Sequence, residues 1–289
     1  MIYLLLSIIT STLFAISFKV IANKQVNALQ AIIVNYFSAC VMGLYTTQSD
    51  VTIFNLYHQK WFYLAVFLGF VFIFCLFLIA KVTDVSGISV AQVANRMAVV
   101  IPISVAIIFY QDKLTIIKLI GIILALIAVY LVSKKNEGAI ELKKNWWLMP
   151  FIIFMSSGII DSSINYAQKY LLSQTDFDVF LATIFLTAFV IGIIIVIFQI
   201  SNAKSRIDMK AIPSGLIIGM INFGTMYSIV KALNSNILEP SVLFPINNLS
   251  ILAVSTLTSV LLYKEKLSSK NWLGITISLV AIIVLGILS

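Results

Sequence analysis

The sequence predicts an all-α integral membrane protein of ten transmembrane helices, built as two inverted five-helix repeats. Three observations carry this. Apolar residues make up 61% of the 289 and charged residues 10%, against roughly 45–50% and about 25% in soluble domains. Apolar runs of about 20 residues, enough to cross a bilayer, recur from Ile2 to Leu288. The two halves of the chain also share an ordered series of residues. This composition excludes a soluble globular protein and a disordered chain. Alternating ten-residue segments are absent, which argues against a β-barrel.

The ten spans are predicted at 2–21, 28–47, 61–80, 87–109, 115–133, 147–170, 178–200, 211–232, 238–262 and 271–288. The first has no basic leader and no small-residue cleavage site, so it is expected to be a retained helix. The longest polar connections, 48–60 and 134–146, are too short to fold alone, and no soluble module is expected. Cys40 and Cys75 each lie inside a span and are expected to face lipid or neighbouring helices rather than pair. Trp61, Trp146, Trp147 and Trp272 sit at span ends and read as an interfacial belt.

The halves, 1–133 and 147–289, are joined by a linker at 134–146. Tyr110-Gln-Asp-Lys-Leu114, with Gly121 beyond it, matches Tyr263-Lys-Glu-Lys-Leu267 and Gly274 at an offset of 153. Gly69 and Lys81 match Gly219 and Lys231 at 150, Gly43 matches Gly192 at 149, and Lys24 matches Lys169 at 145. Because five is odd, two such repeats must cross the membrane in opposite senses. That architecture places a ligand near the midplane, between the halves.

Asp112-Lys113-Leu114 and Glu265-Lys266-Leu267, each with a Gly seven residues beyond the Leu, resemble the EamA-like branch of the drug/metabolite transporter superfamily. So does Tyr227-Ser-Ile-Val-Lys-Ala-Leu233 leading to Pro245. The resemblance covers essentially the whole chain and implies movement of amino acids, other small metabolites, nucleotide sugars or drugs, usually without ATP. One departure is that Gln92 stands where the second half has Pro245, leaving Pro102, ten residues on, as the proline of the first half.

The formal net charge is +8, and the basic residues sit mostly at span ends, where they set orientation and meet anionic headgroups. Membrane lipid is therefore the expected partner, with no nucleic acid. Connections after odd spans carry Lys19, Lys24, Lys81, Lys134, Lys135, Lys143, Lys144, Lys204, Arg206, Lys210, Lys264, Lys266 and Lys270. Those after even spans carry Lys60, Lys113, Lys118, Lys169 and Lys231. This excess puts the odd connections in the cytoplasm and both termini outside; the family resemblance implies the reverse.

Arg96 lies midway along the fourth span, where a cation costs ~2.5–3.5 kcal/mol on insertion scales. Gln92 and Asn95 extend its polar surface. This suits an anion or carboxylate site, or a structural ion pair. Asp161, in the sixth span, forms a stripe with Ser157, Asn165 and Gln168 at helical spacing. It is expected to neutralise Arg96, bind an amino group or take up a proton. Asn222 and Tyr227 add polarity in the eighth span, and Gly215 with Gly219 reads as a small-residue packing pair. Asn247 and Asn248 follow Pro245 in the ninth span, and Asn248 is the repeat counterpart of Asn95 at offset 153. Lys81 and Lys231 are expected to snorkel, Glu239 to cap a helix start, and Asp112 and Glu265 to stabilise short turns.

Only one histidine, His58, is present, and it lies in a loop. No metal-ligand cluster, Walker A segment, nucleophile elbow or channel filter occurs. The expectation is a non-enzymatic secondary transporter without a cofactor, open to proton coupling, in the cytoplasmic (inner) membrane of a bacterium. It would move a small polar metabolite such as an amino acid by alternating access, as a monomer or a homodimer. One positive and one negative group suit a zwitterion. The alternative is a flippase for a lipid-linked sugar or other lipid, which needs a lateral opening between helices.

Overall fold

The computed structural model describes residues 2–47, 53–109, 115–133, 147–173, 175–202, 206–235 and 240–286. Asp112, Lys113, Trp146, Glu239 and the linker 134–146 lie outside these residues. The described chain is helical throughout, with no strand: α1 Ile2–Asn23, α2 Ala28–Thr46, α3 Phe62–Ser86, α4 Ile88–Arg96, α5 Val100–Phe109, α6 Ile116–Ser133, α7 Leu148–Tyr170, α8 Phe177–Ser201, α9 Ala211–Asn234, α10 Pro240–Tyr263 and α11 Ser269–Gly286. A 3-10 turn at Ile53–His58 precedes α3.

Eight apolar helical stretches among the described residues are long enough to cross a membrane. The fifth and tenth predicted spans are shorter, with apolar stretches at Ile116–Leu131 and Ser269–Val284. Their parent helices, α6 and α11, have 18 residues each, about 27 Å at 1.5 Å per residue, against about 30 Å of hydrocarbon.

The fourth predicted span is not one regular helix. A 3-10 turn, Met97–Val99, separates α4 from α5. Pro102 has no N–H to offer the carbonyl of Ala98, and its ring crowds that carbonyl, so the turn before it tightens. Arg96 is the last residue of α4, directly against this turn.

Local chemistry sets other helix ends. Asn27 caps α2, its side chain accepting from the Gln30 N–H at 3.1 Å. Gly87 precedes α4 at φ +96°, a conformation that favours glycine. Its N–H reaches the Thr83 carbonyl at 3.2 Å, closing the end of α3.

The chain forms two compact units, each drawing on both halves of the sequence. The first comprises 1–19, 78–159 and 225–289, and the second 20–77 and 160–224. In the first unit α6 packs on α11, and α10 packs on α4 and α11, around Val93, Met97, Phe154, Leu252, Ile275 and Ile282.

In the second unit α2 packs on α8. The two run antiparallel: the space beside Gly43 is filled by Ala182, and that beside Gly192 by Ile33 and Ile73. These contacts exchange under the 149-residue offset, since Gly43 corresponds to Gly192 and Ile33 to Ala182. The same exchange recurs one helix on. Gly69 of α3 abuts Thr187 of α8, and Gly219 of α9 abuts Ser38 of α2.

Trp61 departs from the belt expected of it. It is 1% exposed, with its ring edge-on to Phe180 at 5.7 Å. Trp147 and Trp272 are exposed. Cys40 and Cys75 are buried and form no disulfide. Phe198, Leu261 and Leu262 are among many large apolar side chains left on outer helix faces, as expected where lipid replaces water.

Candidate substrate site

In the first unit, polar side chains from three helices meet. Arg96, at the end of α4, donates from Nη1 to Asn248 Oδ1 on α10 at 3.1 Å. Its neighbour Asn95 accepts from Ser157 Oγ of α7 at 2.7 Å. Each of these asparagines thus holds a group from another helix, and the two lie 153 residues apart. An amide oxygen orients a guanidinium without neutralising its charge.

Gln92 lies one turn before Arg96 and is 4% exposed, while Asn247 beside Asn248 is 5% exposed. Gln92 Oε1 and Asn247 Oδ1 are buried acceptors with no hydrogen-bond partner. Leaving such a group unmet costs about 1–3 kcal/mol, so each is ready to accept a donor brought by a ligand or by water.

Along the same face of α4, Ser89 Oγ lies 2.7 Å from Ser259 Oγ of α10, both fully buried. The Ser89–Ser259 and Arg96–Asn248 contacts make α4 and α10 an antiparallel pair with a polar seam. Gly158 follows Ser157 and lets α7 approach α5, since a Cβ there would lie 2.5 Å from Ile101 Cβ. Tyr227 is partly exposed on α9, with the Lys231 ammonium 5.4 Å from its ring centroid.

The remaining candidates belong to the second unit. Asp161 and Asn165 are exposed on α7, one turn apart. Asn222 is 7% exposed and donates from Nδ2 to Oδ1 of the fully buried Asn35 at 3.1 Å. It therefore joins α9 to α2. Gly219 and Gly215 serve the same contact: a Cβ at either would lie 2.5 Å from a backbone carbonyl oxygen, of Asn35 and of Ala31 respectively. Ser38 Oγ donates to the Leu216 carbonyl at 3.1 Å.

Three features escaped the sequence reading. Asn35 is a polar residue inside the second span, and that alone was the available signal. The Ser89–Ser259 pair had no signal, because serines are common in packed helices. Glu265 does more than stabilise its own turn: its Oε1 accepts from the Ile88 N–H, the first of α4, at 2.9 Å.

Outside the spans, Asp208 accepts from the Asn27 N–H at 2.8 Å and the Lys210 N–H at 2.9 Å. These bonds hold its carboxyl below the ordinary aspartate pKa, those from Asn27 and Lys210 leading and the Lys210 charge adding to them. Gln30 completes this clasp, accepting from the Asp208 N–H at 2.8 Å and donating to the Arg206 carbonyl at 2.7 Å.

Known proteins resemble this chain in sequence and in fold. The EamA-like transporter family matches residues 142–287. An uncharacterized protein of Haemophilus influenzae is 25% identical over 284 residues, covering 96% of this chain and 95% of that protein. A protein crystal structure superimposes with a TM-score of 0.60 at 12% identity, over 99% of this chain and 96% of that one, which is a likeness of fold alone.

Proposed function

This chain belongs to the EamA-like transporter family, and from that premise we propose that it moves a small polar metabolite, foremost an amino acid, by alternating access across the cytoplasmic membrane of a bacterium. It is a multi-pass membrane protein, and its family is one of small-molecule transporters. The observation that carries the narrower reading is Arg96, a guanidinium within an apolar span, oriented by the neutral amide of Asn248. A charged side chain at that depth is a functional-site candidate by default.

The proposed roles follow from chemistry. Arg96 holds the carboxylate of the ligand. Gln92 and Asn247, whose acceptor oxygens are buried and unmet, receive its N–H or O–H donors. Asn95, Asn248 and Ser157 orient this set. Asp161 is the amine contact or a proton acceptor, a part that rests on its helical spacing from Ser157 alone. Asn165, Asn222 and Tyr227 are proposed ligand contacts on the same sequence grounds.

Alternating access needs two conformations of similar energy, and an inverted repeat supplies them by symmetry. The exchanged contacts Gly43–Ala182 and Gly192–Ile33 support that repeat. No ATP, cofactor or bond-making chemistry enters the proposal. Protons are the proposed coupling ion, and the working form is a monomer, since a fused duplication completes its own inverted pair.

A thermal-shift screen in detergent tests the reading. Ligand that binds only the folded state raises stability by RT ln(1 + [L]/Kd). An amino acid is expected to stabilise the native protein and not Arg96→Ala. Stabilisation by polyprenyl-linked sugars alone would overturn the proposal in favour of a lipid flippase.

A further inference from the structure

Beyond the ligand contacts, we propose that Glu265 is a positioning residue that latches the first turn of α4 to the end of α10, and that this latch opens during transport. The inference rests on the transporter reading for its second half only; the latch itself is a matter of geometry.

Four contacts build it. Glu265 Oε1 accepts from the Ile88 N–H at 2.9 Å, so a carboxylate sits at the N-terminus of α4, where charge and dipole agree. The Gly87 backbone lies against the same carboxylate, and a Cβ there would fall 2.5 Å from Glu265 Oε2. The residue after Ile88 adds a second contact, Ser89 Oγ lying 2.7 Å from Ser259 Oγ. Beyond α10, Lys264 at φ +50° folds the chain back so that the Glu265 N–H reaches the Ser259 carbonyl at 3.1 Å. That fold-back aims the carboxylate at α4.

Two features mark this as a latch. Glu265 Oε2 is buried and accepts no hydrogen bond, so the closed arrangement leaves one carboxylate oxygen without the water it would have on opening. The latched element is α4, whose other end carries Asn95 and Arg96. Movement at Ile88 is passed along nine residues of helix to the guanidinium, or absorbed at the 3-10 turn beyond it.

The test uses the full chain with Cys40 and Cys75 replaced by alanine and a single thiol introduced by Ser89→Cys. Reaction of that thiol with N-ethylmaleimide is expected to be slow with Glu265 present and about tenfold faster with Glu265→Ala, the scale of one charge-assisted hydrogen bond. Glu265→Gln, which keeps an acceptor but not the charge, is expected to fall between. Gly87→Ala displaces the carboxylate and is expected to match Glu265→Ala, which keeps the test decisive if that variant fails to fold. Equal reactivity across folded variants overturns the latch.

A second arm pairs Ser89→Cys with Ser259→Cys and oxidises the two thiols to a disulfide. Uptake of radiolabelled amino acids into proteoliposomes is expected to fall at least tenfold and to return with reductant. Undiminished uptake by the cross-linked protein would show that transport does not need the contact to open, and would overturn the second half of the proposal. If the uncross-linked parent takes up no amino acid while the maleimide contrast persists, the substrate reading fails and the latch stands.

Discussion

Arg96 and Asn248 join α4 to α10 through one hydrogen bond of 3.1 Å from Nη1 to Oδ1, and Asn248 is the repeat counterpart of Asn95, the residue next to that arginine. The bond therefore ties a cation of the first half to the amide whose position in the second half matches that of the cation's neighbour, Asn95. On the proposed reading, the bond keeps the guanidinium charged and aimed.

Removing either partner is expected to weaken ligand binding differently. Arg96→Ala deletes the charge and should abolish the ligand-induced thermal shift. Asn248→Ala deletes a hydrogen bond worth about 1.5–3 kcal/mol when one partner is charged, so the apparent Kd should rise by about tenfold or more. Arg96→Lys, with no planar fork, should resemble Asn248→Ala. Titration calorimetry or thermal-shift isotherms distinguish the three.

Asn35 and Asn222 should behave as a coupled pair. Each single alanine variant strands a buried amide, and in membranes such hydrogen bonds are worth about 0.6–2 kcal/mol. The double variant should be less destabilised than the two singles summed. A double-mutant cycle on unfolding in a mixed-detergent titration measures this, and strict additivity would refute the contact.

Glycine substitutions should separate by the space beside each residue. Gly219→Ala puts a methyl 2.5 Å from the Asn35 carbonyl oxygen, whereas the nearest atom to a methyl at Gly43 is Ala182 Cβ at 3.4 Å. The first is expected to cost about 1–3 kcal/mol and to lower the apparent melting temperature. The second should cost a small fraction of that.

Asp208 predicts a response to acid. Its folded pKa is lowered from an unfolded value of about 3.9. A lowered carboxylate stabilises the fold fully above the unfolded pKa and loses that contribution as pH falls through the folded one. Stability of the native protein should therefore drop more steeply below about pH 4 than that of Asp208→Asn, whose amide does not titrate. Melting curves across that range, referenced to one another, check the difference.

The sequence reading reached the helices and the family because both depend on long-range averages. Ten apolar stretches and a drifting offset between halves survive any detail of packing. It also reached Asn95 and Asn248, which stand 153 residues apart in the two halves. It did not reach the partner of Asn222: Asn35 is one polar residue among several in the second span, and pairing across helices leaves no periodic mark. Trp61 was misplaced for a similar reason. An aromatic ring at a span end is as compatible with the headgroup layer as with a buried edge-on contact to Phe180.

Helix type and membrane residence were legible in the sequence alone, because hydrophobic length and the missing charges leave the backbone few other ways to satisfy its hydrogen bonds in lipid. The tightened turn after Arg96 was also implicit, since Pro102 removes one donor at a known spacing. Only the tertiary structure decided which polar side chains meet. Whether Arg96 finds Asn248, and whether Glu265 guards its own turn or the start of α4, depends on the antiparallel register of α4 against α10. That register is fixed by contacts of about 3 Å between residues more than a hundred positions apart, and one-dimensional spacing carries no record of them.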